Sequence, residues 1–241
     1  MAHNQHNAMS RLLAKICGIT RTSDAQAALE AGADCFGMVY LFSRSPRCVS
    51  PDQARLICES VALPAVLVTV NLTVPDLVSA ANELLPHALQ LHGEEPPELV
   101  RRLKESAGCQ VWKVIHIPPG KLSSDEWKRV QDATSGFVEA GCDALLIDTH
   151  LAEATDEKRY GGTGLAGDWE ALAEMVRAIA SPVILSGGLR PDNVEQAIRT
   201  VRPAGVDASS GLERAPGLKD PERIRSFVSA VRRADSGHID R

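Results

Sequence analysis

Short apolar runs alternate with longer amphipathic stretches from Leu12 almost to the end of this chain of 241 residues. The alternation is typical of parallel β/α architecture, because a strand that runs parallel to its predecessor needs a long, usually helical, crossover. About eight strands are predicted, the number in a closed β/α barrel. They cover residues 13–17, 35–40, 65–70, 88–91, 111–115, 144–147, 183–185 and 205–208.

The amphipathic stretches between the predicted strands carry helix start signals. Proline lies near the first turn of several of them, and Ser50, Thr22 and Asp220 are predicted N-caps. Gly136 interrupts the pattern of the fifth helix, which makes that helix the least regular of the set. The predicted helices cover residues 23–31, 51–60, 75–85, 96–106, 123–140, 169–180, 191–201 and 221–231.

Two folds share this alternation, a single (β/α)8 TIM barrel and an open doubly wound sheet. The doubly wound sheet binds dinucleotides through spaced glycines after its first strand, whereas Cys17-Gly18-Ile19-Thr20 follows here. We therefore predict the α/β barrel, as one catalytic domain over residues 11–234, with no nicotinamide or flavin cofactor. Residues 1–10 are predicted to be a disordered polar leader, and residues 235–241 a disordered tail.

Charge and cysteine usage exclude several function classes. The net charge is -5 and the basic residues are scattered between acidic ones, which argues against nucleic-acid binding. The polar start, residues 1–10, has no apolar stretch long enough for a signal peptide or a membrane span. The six cysteines have neither the spacing of a zinc site nor that of a disulfide framework, so a reducing, cytoplasmic location is expected.

Polar residues at the ends of the predicted strands are the candidates for chemistry, since barrel enzymes place their catalytic groups there. Lys15 and Cys17 lie on the same side of the first strand by its two-residue period. Asp148 ends the sixth strand, where a carboxylate is costly unless it has a partner or a function. A small buried thiol and an ordinary loop carboxylate remain the alternative interpretations of Cys17 and Asp148.

Glycine-rich segments follow the last two strands, at the loops where (β/α)8 barrels commonly bind phosphate through backbone N–H groups. A phosphorylated small molecule is therefore the predicted substrate class. The residues predicted to hold its phosphate are Gly187, Gly188, Ser209, Ser210 and Gly211. Two further mouth segments, 43–47 and 160–164, add a basic loop and a flexible glycine-rich loop.

Six ordered motifs resemble the phosphoribosylanthranilate isomerase family, and the resemblance covers the chain from about Lys15 to the last helix. The motifs are Lys15-Ile16-Cys17-Gly18, Ser45-Pro46-Arg47, Gln90-Leu91-His92-Gly93, Gly161-Gly162-Thr163-Gly164, Ser186-Gly187-Gly188-Leu189, and Gly205-Val206-Asp207 with Ser209-Ser210-Gly211. The resemblance implies an Amadori rearrangement in tryptophan biosynthesis, performed in a (β/α)8 barrel without cofactor or metal.

The resemblance also implies roles for individual residues. Cys17 is expected to be the general base, Asp148 the general acid, and Arg47 the residue that binds the anthranilate carboxylate. The thiol must act as a thiolate, so its pKa is expected to fall, with help from Lys15. The further substrate contacts expected are Lys15, Gln90, His92, Gly162 and Gly164.

Other functions stay open at this point. A sugar-phosphate isomerase of histidine biosynthesis or a pentose phosphate epimerase would use the same fold, although the histidine enzymes end the first strand in Asp rather than Cys17. A catalytically silent barrel that binds a phosphorylated metabolite is an alternative of a different class. The sequence does not decide oligomeric state, and a monomer is the expectation, with a dimer as the alternative.

Overall fold

The structure, a computed structural model, describes residues 11–117, 122–149 and 169–236. The predicted leader and the last five residues of the predicted tail lie outside these ranges. Residues 235 and 236 continue the last helix, two positions beyond the predicted end of the domain. Within the described part of the chain, no helix is both long and apolar enough to cross a membrane.

Eight parallel strands close into a barrel, because the first strand pairs with both the second and the last. This confirms the predicted α/β barrel. The strands are β1 (Leu13–Ile16), β2 (Cys35–Tyr40), β3 (Ala65–Thr69), β4 (Ala88–Leu91), β5 (Gln110–Ile117), β6 (Ala144–Thr149), β7 (Val183–Ser186) and β8 (Gly205–Ala208).

Eight helices are described around the outside of the barrel. They are α1 (Thr22–Glu30), α2 (Pro51–Ser60), α3 (Val74–Leu84), α4 (Pro97–Ser106), α5 (Ser124–Glu139), α6 (Trp169–Ala178), α7 (Val194–Val201) and α8 (Pro221–Ser236). Ser50 caps α2 as predicted, and its hydroxyl accepts from the Gln53 N–H. The predicted cap Thr22 is wrong, because Thr22 is already helical and the cap position is occupied by Arg21.

Helix α7 begins three residues later than predicted. Asn193 makes the difference: its Oδ1 accepts from the Arg190 N–H and its Nδ2 donates to the Gly188 carbonyl. Asparagine favours such turns because its short amide reaches neighbouring backbone groups. The turn therefore ties the loop after β7 to the start of α7.

The alternation of side chains along the strands divides the core in two. A small cluster fills the lower barrel interior, and a large one lies between the strands and the helices. On β1, Leu13 and Lys15 belong to the inward set together with Cys17, which directly follows the strand, whereas Ala14 and Ile16 pack outward. The inward side chains near the carboxyl ends of the strands thus face the barrel mouth.

Two short strand pairs beside the mouth were not predicted. Residues Cys48–Val49 pair with the end of β2, which returns the chain to the barrel directly after Arg47. Beyond β8, Glu213–Ala215 pair with Leu218–Lys219 as an antiparallel hairpin. Both segments bring charged side chains over the same part of the mouth.

Candidate active site

One cavity opens at the carboxyl ends of the strands and holds about 750 Å³ of empty space, including the part open to solvent. The predicted residues that line it are Cys17, Arg47, Gln90, His92, Asp148, Gly187, Gly188, Ser209, Ser210 and Gly211. Gly162 and Gly164 lie outside the described residues.

Cys17 and Asp148, the candidate base and acid, line this cavity together. Cys17 directly follows β1, and its backbone N–H donates to the Ala208 carbonyl at the end of β8. Asp148 lies near the end of β6 and pairs in register with Ser186 of β7. Both side chains are almost fully buried, so the barrel backbone determines where they point.

Lys15 lies one layer below Cys17 and does not line the cavity. Its ammonium is fully buried and donates to Asp207 Oδ1 at 2.9 Å. Register explains the contact, since Lys15 and Asp207 are paired neighbours on β1 and β8. Asp207 lines the cavity and Lys15 is not among the described residues that do, so a direct contact between Lys15 and the substrate stays a prediction. Lys15 acts on the site through Asp207 and Cys17.

The pKa of the Cys17 thiol is raised above its ordinary value, which contradicts the expected fall. Burial is the largest cause and the Asp207 carboxylate adds to it, whereas Lys15 and Lys219 pull the pKa down without prevailing. Burial also lowers the pKa of Lys15, but Asp207 outweighs it and the net shift is upward. In the protein without ligand, Cys17 is consequently a neutral thiol at neutral pH.

We expect Cys17 to titrate above the pKa of an ordinary cysteine, and Asp207→Asn to lower that value. Removing the carboxylate takes away a negative neighbour and leaves the charge of Lys15 uncompensated, and both changes favour the thiolate. The thiolate absorbance in the ultraviolet, recorded as a difference against Cys17→Ser, measures the shift. A Cys17 pKa in Asp207→Asn that equals or exceeds the wild-type value would contradict this electrostatic account.

Gln90 and His92 extend the site along β4. Gln90 is buried, and its Oε1 has no hydrogen-bond partner within the described ranges, although a buried amide oxygen normally has one. A donor from a ligand in the cavity would satisfy it. His92 Nε2 lies 3.9 Å from Asp148 Oδ2, so the imidazole is close to the candidate acid.

A buried ion pair, which sequence reasoning missed, holds the loop after β4. Lys113 on β5 donates to Glu95 Oε2 at 2.8 Å and to the Gly93 carbonyl at 2.6 Å. Glu95 Oε1 in turn accepts from the N–H groups of Asn71 and Gly93. Because these contacts flank His92, they determine its position at the mouth.

Replacing Lys113 with Met is expected to destabilise the protein by about 3–5 kcal/mol, since it leaves Glu95 as a buried charge without its cation. Urea unfolding measures the loss. The double variant Lys113→Met with Glu95→Gln should lose less free energy of unfolding, because the buried side chain at position 95 is then uncharged. Equal losses in the single and double variants would show that packing, not charge, is responsible.

The two glycine loops have the geometry that close approach of an anion requires. Gly187 and Gly188 adopt φ values of 92° and 67°, which other residues rarely take. A Cβ on Gly211 would meet the Leu189 carbonyl at 2.3 Å, so the loops after β7 and β8 pack tightly against each other. Side chains larger than glycine would separate the loops.

Arg47 reaches the cavity from the loop after β2, and its charge is balanced by residues that sequence reasoning did not assign. Its Nε and Nη2 donate to the two oxygens of Glu213 at 2.8 and 2.7 Å. Lys219 donates to Glu213 Oε1 at 2.7 Å and to the Ser209 carbonyl at 3.0 Å. In the sequence, Glu213 and Lys219 are only an acidic and a basic residue after the eighth strand, and no pattern marks them as partners of Arg47.

One group among the described residues could hold a metal ion. The ligand atoms of His92, His116 and Asp148 lie within 4.8 Å of one another. The sequence predicted no metal, and two members of this group belong to the candidate acid–base site. Burial lowers the pKa of His116, which keeps its imidazole neutral. Elemental analysis of the purified protein would test the predicted absence of metal.

A closed barrel with ionisable side chains around one cavity at the carboxyl ends of its strands defines the class of (β/α)8-barrel enzymes. Residues 14–230 match the model of a family described as N-(5'phosphoribosyl)anthranilate (PRA) isomerase. The chain belongs to this N-(5'-phosphoribosyl)anthranilate isomerase family.

Relatives and solved structures agree with that membership. The isomerase of Rubrobacter xylanophilus is 43% identical over 90% of this chain and 98% of its own length, and that of Methanocella arvoryzae 39% identical over 90% and 97%. The crystal structure of the Thermotoga maritima isomerase is similar, with a TM-score of 0.77 and 34% identity over 92% of this chain and 98% of its own.

Another matching crystal structure holds a ligand. It is a phosphoribosyl anthranilate isomerase in complex with reduced 1-(o-carboxyphenylamino)-1-deoxyribulose 5-phosphate, with a TM-score of 0.74 and 32% identity over 92% of this chain and 98% of its own. A further matching structure, from Thermotoga maritima, describes monomers of a dimeric isomerase.

Proposed function

We propose that this protein converts N-(5-phosphoribosyl)anthranilate to 1-(2-carboxyphenylamino)-1-deoxyribulose 5-phosphate in tryptophan biosynthesis. The observation that carries the proposal is one cavity lined by Cys17, Asp148 and both glycine loops, in a chain of this family. The ligand named for the related crystal structure is the reduced form of the same product.

Asp148 is the general acid of the proposed reaction. Its carboxyl group gives a proton to the furanose ring oxygen, the bond between that oxygen and C1′ breaks, and the nitrogen lone pair forms the C1′=N double bond. Because the proton arrives as the bond breaks, the ring oxygen leaves as a hydroxyl group and not as an unstable alkoxide. The almost complete burial of Asp148 in the cavity wall supports a carboxyl group that exchanges its proton with the ligand rather than with solvent.

Cys17 is the general base of the second step. It removes the proton from C2′, the electron pair of that bond forms C1′=C2′, and the C1′=N electrons return to nitrogen. The enol that results becomes the ketone when C1′ gains a proton and the C2′ hydroxyl loses one. Since Cys17 is a neutral thiol in the free protein, it first loses its proton to water, and the thiolate so formed, which the cations Lys15 and Lys219 stabilise, takes the proton from C2′.

Binding groups surround the acid and the base. We assign the substrate phosphate to Gly187, Gly188, Ser209, Ser210 and Gly211, and the ring carboxylate to Arg47. Gln90 and His92 are assigned to the sugar part, between these two anionic groups. Fixing both ends of the substrate holds C1′ and C2′ beside Asp148 and Cys17, which lowers the entropy cost of proton transfer.

Complementation tests the proposal. The chain, expressed in a tryptophan auxotroph that lacks this isomerase, should restore growth, whereas a silent phosphometabolite binder should not. The same chain should not rescue a histidine auxotroph that lacks its sugar-phosphate isomerase. We further propose a cytoplasmic monomer, which light scattering of the purified protein tests; a dimer would replace that assignment without changing the reaction.

A further inference from the structure

Glu213 is a buried carboxylate that the proposed reaction does not use. It opens the hairpin after β8, and about 5% of its side chain is exposed. Three N–H donors from two cations surround its two oxygens, at 2.7 to 2.8 Å. Although burial raises the pKa of Glu213, the contacts with Arg47 and Lys219 outweigh it and lower the pKa, so the carboxylate is ionised at neutral pH.

The way in which Glu213 holds Arg47 leaves the opposite edge of the guanidinium available. A guanidinium offers one pair of parallel N–H donors at Nε with one Nη, and another pair at the two Nη atoms. Glu213 takes the first pair in bidentate form. Within the described ranges no acceptor is bonded to Nη1, and Arg47 lines the cavity, so the second pair can meet a ligand carboxylate.

The packing around this ion pair permits little movement. Gly18 lies beneath it, and a Cβ there would meet Arg47 Cδ at 2.7 Å and Ser209 Oγ at 2.8 Å. Lys219, on the second strand of the hairpin, links Glu213 to the Ser209 carbonyl in the loop after β8. Arg47 and the glycine loop are therefore attached to the same carboxylate.

We propose that Glu213 is a positioning residue that orients Arg47 for the ring carboxylate of the substrate and so determines selectivity for aryl groups that carry a carboxylate. The inference rests on the proposed role of Arg47. A rigid fork matters because a guanidinium that must first be ordered loses part of its binding free energy to entropy. Without Glu213 the positive charge would remain while its orientation would be lost.

Two ligands separate this effect from general damage. Reduced 1-(o-carboxyphenylamino)-1-deoxyribulose 5-phosphate carries the ring carboxylate, and its counterpart made from aniline lacks it. Titration calorimetry gives the dissociation constants of both for wild type, Glu213→Gln and Arg47→Met. Glu222→Gln is the matched control, because Glu222 is also in the segment after β8 but its side chain is 80% exposed.

We expect wild type to prefer the carboxylated ligand by about 100-fold, the factor of a bidentate charged contact. In Glu213→Gln the preference should fall about tenfold, because any weakening through the Lys219–Ser209 contact affects both phosphorylated ligands equally and cancels in the preference. Glu222→Gln should keep the full preference. If Glu213→Gln keeps it too, the positioning role is wrong. If wild type and Arg47→Met show the same weak preference, the proposed role of Arg47 is wrong instead.

A second variant with a shorter carboxylate distinguishes the effect of orientation from that of charge. It also keeps the test valid if Glu213→Gln folds poorly. Glu213→Asp keeps the negative charge between Arg47 and Lys219, which protects the fold, but cannot reach both cations in the same geometry. We expect its preference for the carboxylated ligand to lie between those of wild type and Glu213→Gln. A preference equal to that of wild type would show that charge alone suffices and would overturn the positioning role.

Discussion

Asp148→Asn is expected to lower kcat by about 10²- to 10⁴-fold, the share that a positioned acid contributes to catalysis. Asparagine has the same shape, so the packing at the end of β6 should survive, but the amide has no proton of comparable acidity to give to the ring oxygen. The initial rate of product fluorescence or absorbance with substrate generated in the assay measures the effect.

Binding of the reduced product should be largely kept in Asp148→Asn, because that ligand needs no proton transfer. The matched control is Asp52→Asn on α2, because the Asp52 side chain is 93% exposed and has no part in the proposed proton transfer. The kcat of Asp52→Asn should equal that of wild type. A kcat for Asp148→Asn near that of wild type would assign the acid to another group at the mouth.

Cys17→Ser should lower kcat by a similar factor of about 10²- to 10⁴-fold, since a hydroxyl does not ionise under conditions in which a thiol can. The substitution removes little volume, so the loss reports the base and not the packing of β1. The same assay applies, with unfolding by urea to show that stability is retained.

Cys35→Ser is the control for a second buried thiol next to Lys15. Cys35 belongs to the cluster inside the barrel, does not line the cavity, and has its pKa raised to about 12, mainly by burial. We expect its kcat to match wild type. If Cys35→Ser and Cys17→Ser lost activity equally, the effect would come from disturbing the Lys15–Asp207 pair and not from removing the base.

Local patterns in the sequence were sufficient for the fold. Two-residue and 3.6-residue periods report which side of an element is buried, and they predicted every barrel strand to within two residues at each end. The start of α7 was less accurate, because Asn193 satisfies backbone groups that a helix would otherwise use. Such local competition is not visible in hydrophobic periodicity.

The sequence likewise predicted one part of the candidate site and missed another. The sequence identified the residues that end strands, since a closed barrel brings all strand ends to one mouth. It missed Glu213, Lys219 and the Lys113–Glu95 pair, because nothing in a single chain shows which charged residues become neighbours. It also did not show that the ammonium of Lys15, a predicted substrate contact, pairs with Asp207 in the barrel interior.

By itself, therefore, the sequence determined the strands, their ends and the thiol and carboxyl side chains placed there, all of which follow from short-range periodicity. The missing dinucleotide-binding glycines after the first strand decided for the barrel over the open sheet. Only the tertiary structure decided the charge state of Cys17 and the orientation of Arg47. The first depends mainly on burial, with the Lys15–Asp207 pair from positions 192 residues apart beside the thiol, and the second on the pair of Arg47 with Glu213, 166 positions apart. Coulomb energies depend on distance and burial in the folded chain, and neither quantity exists until the barrel closes.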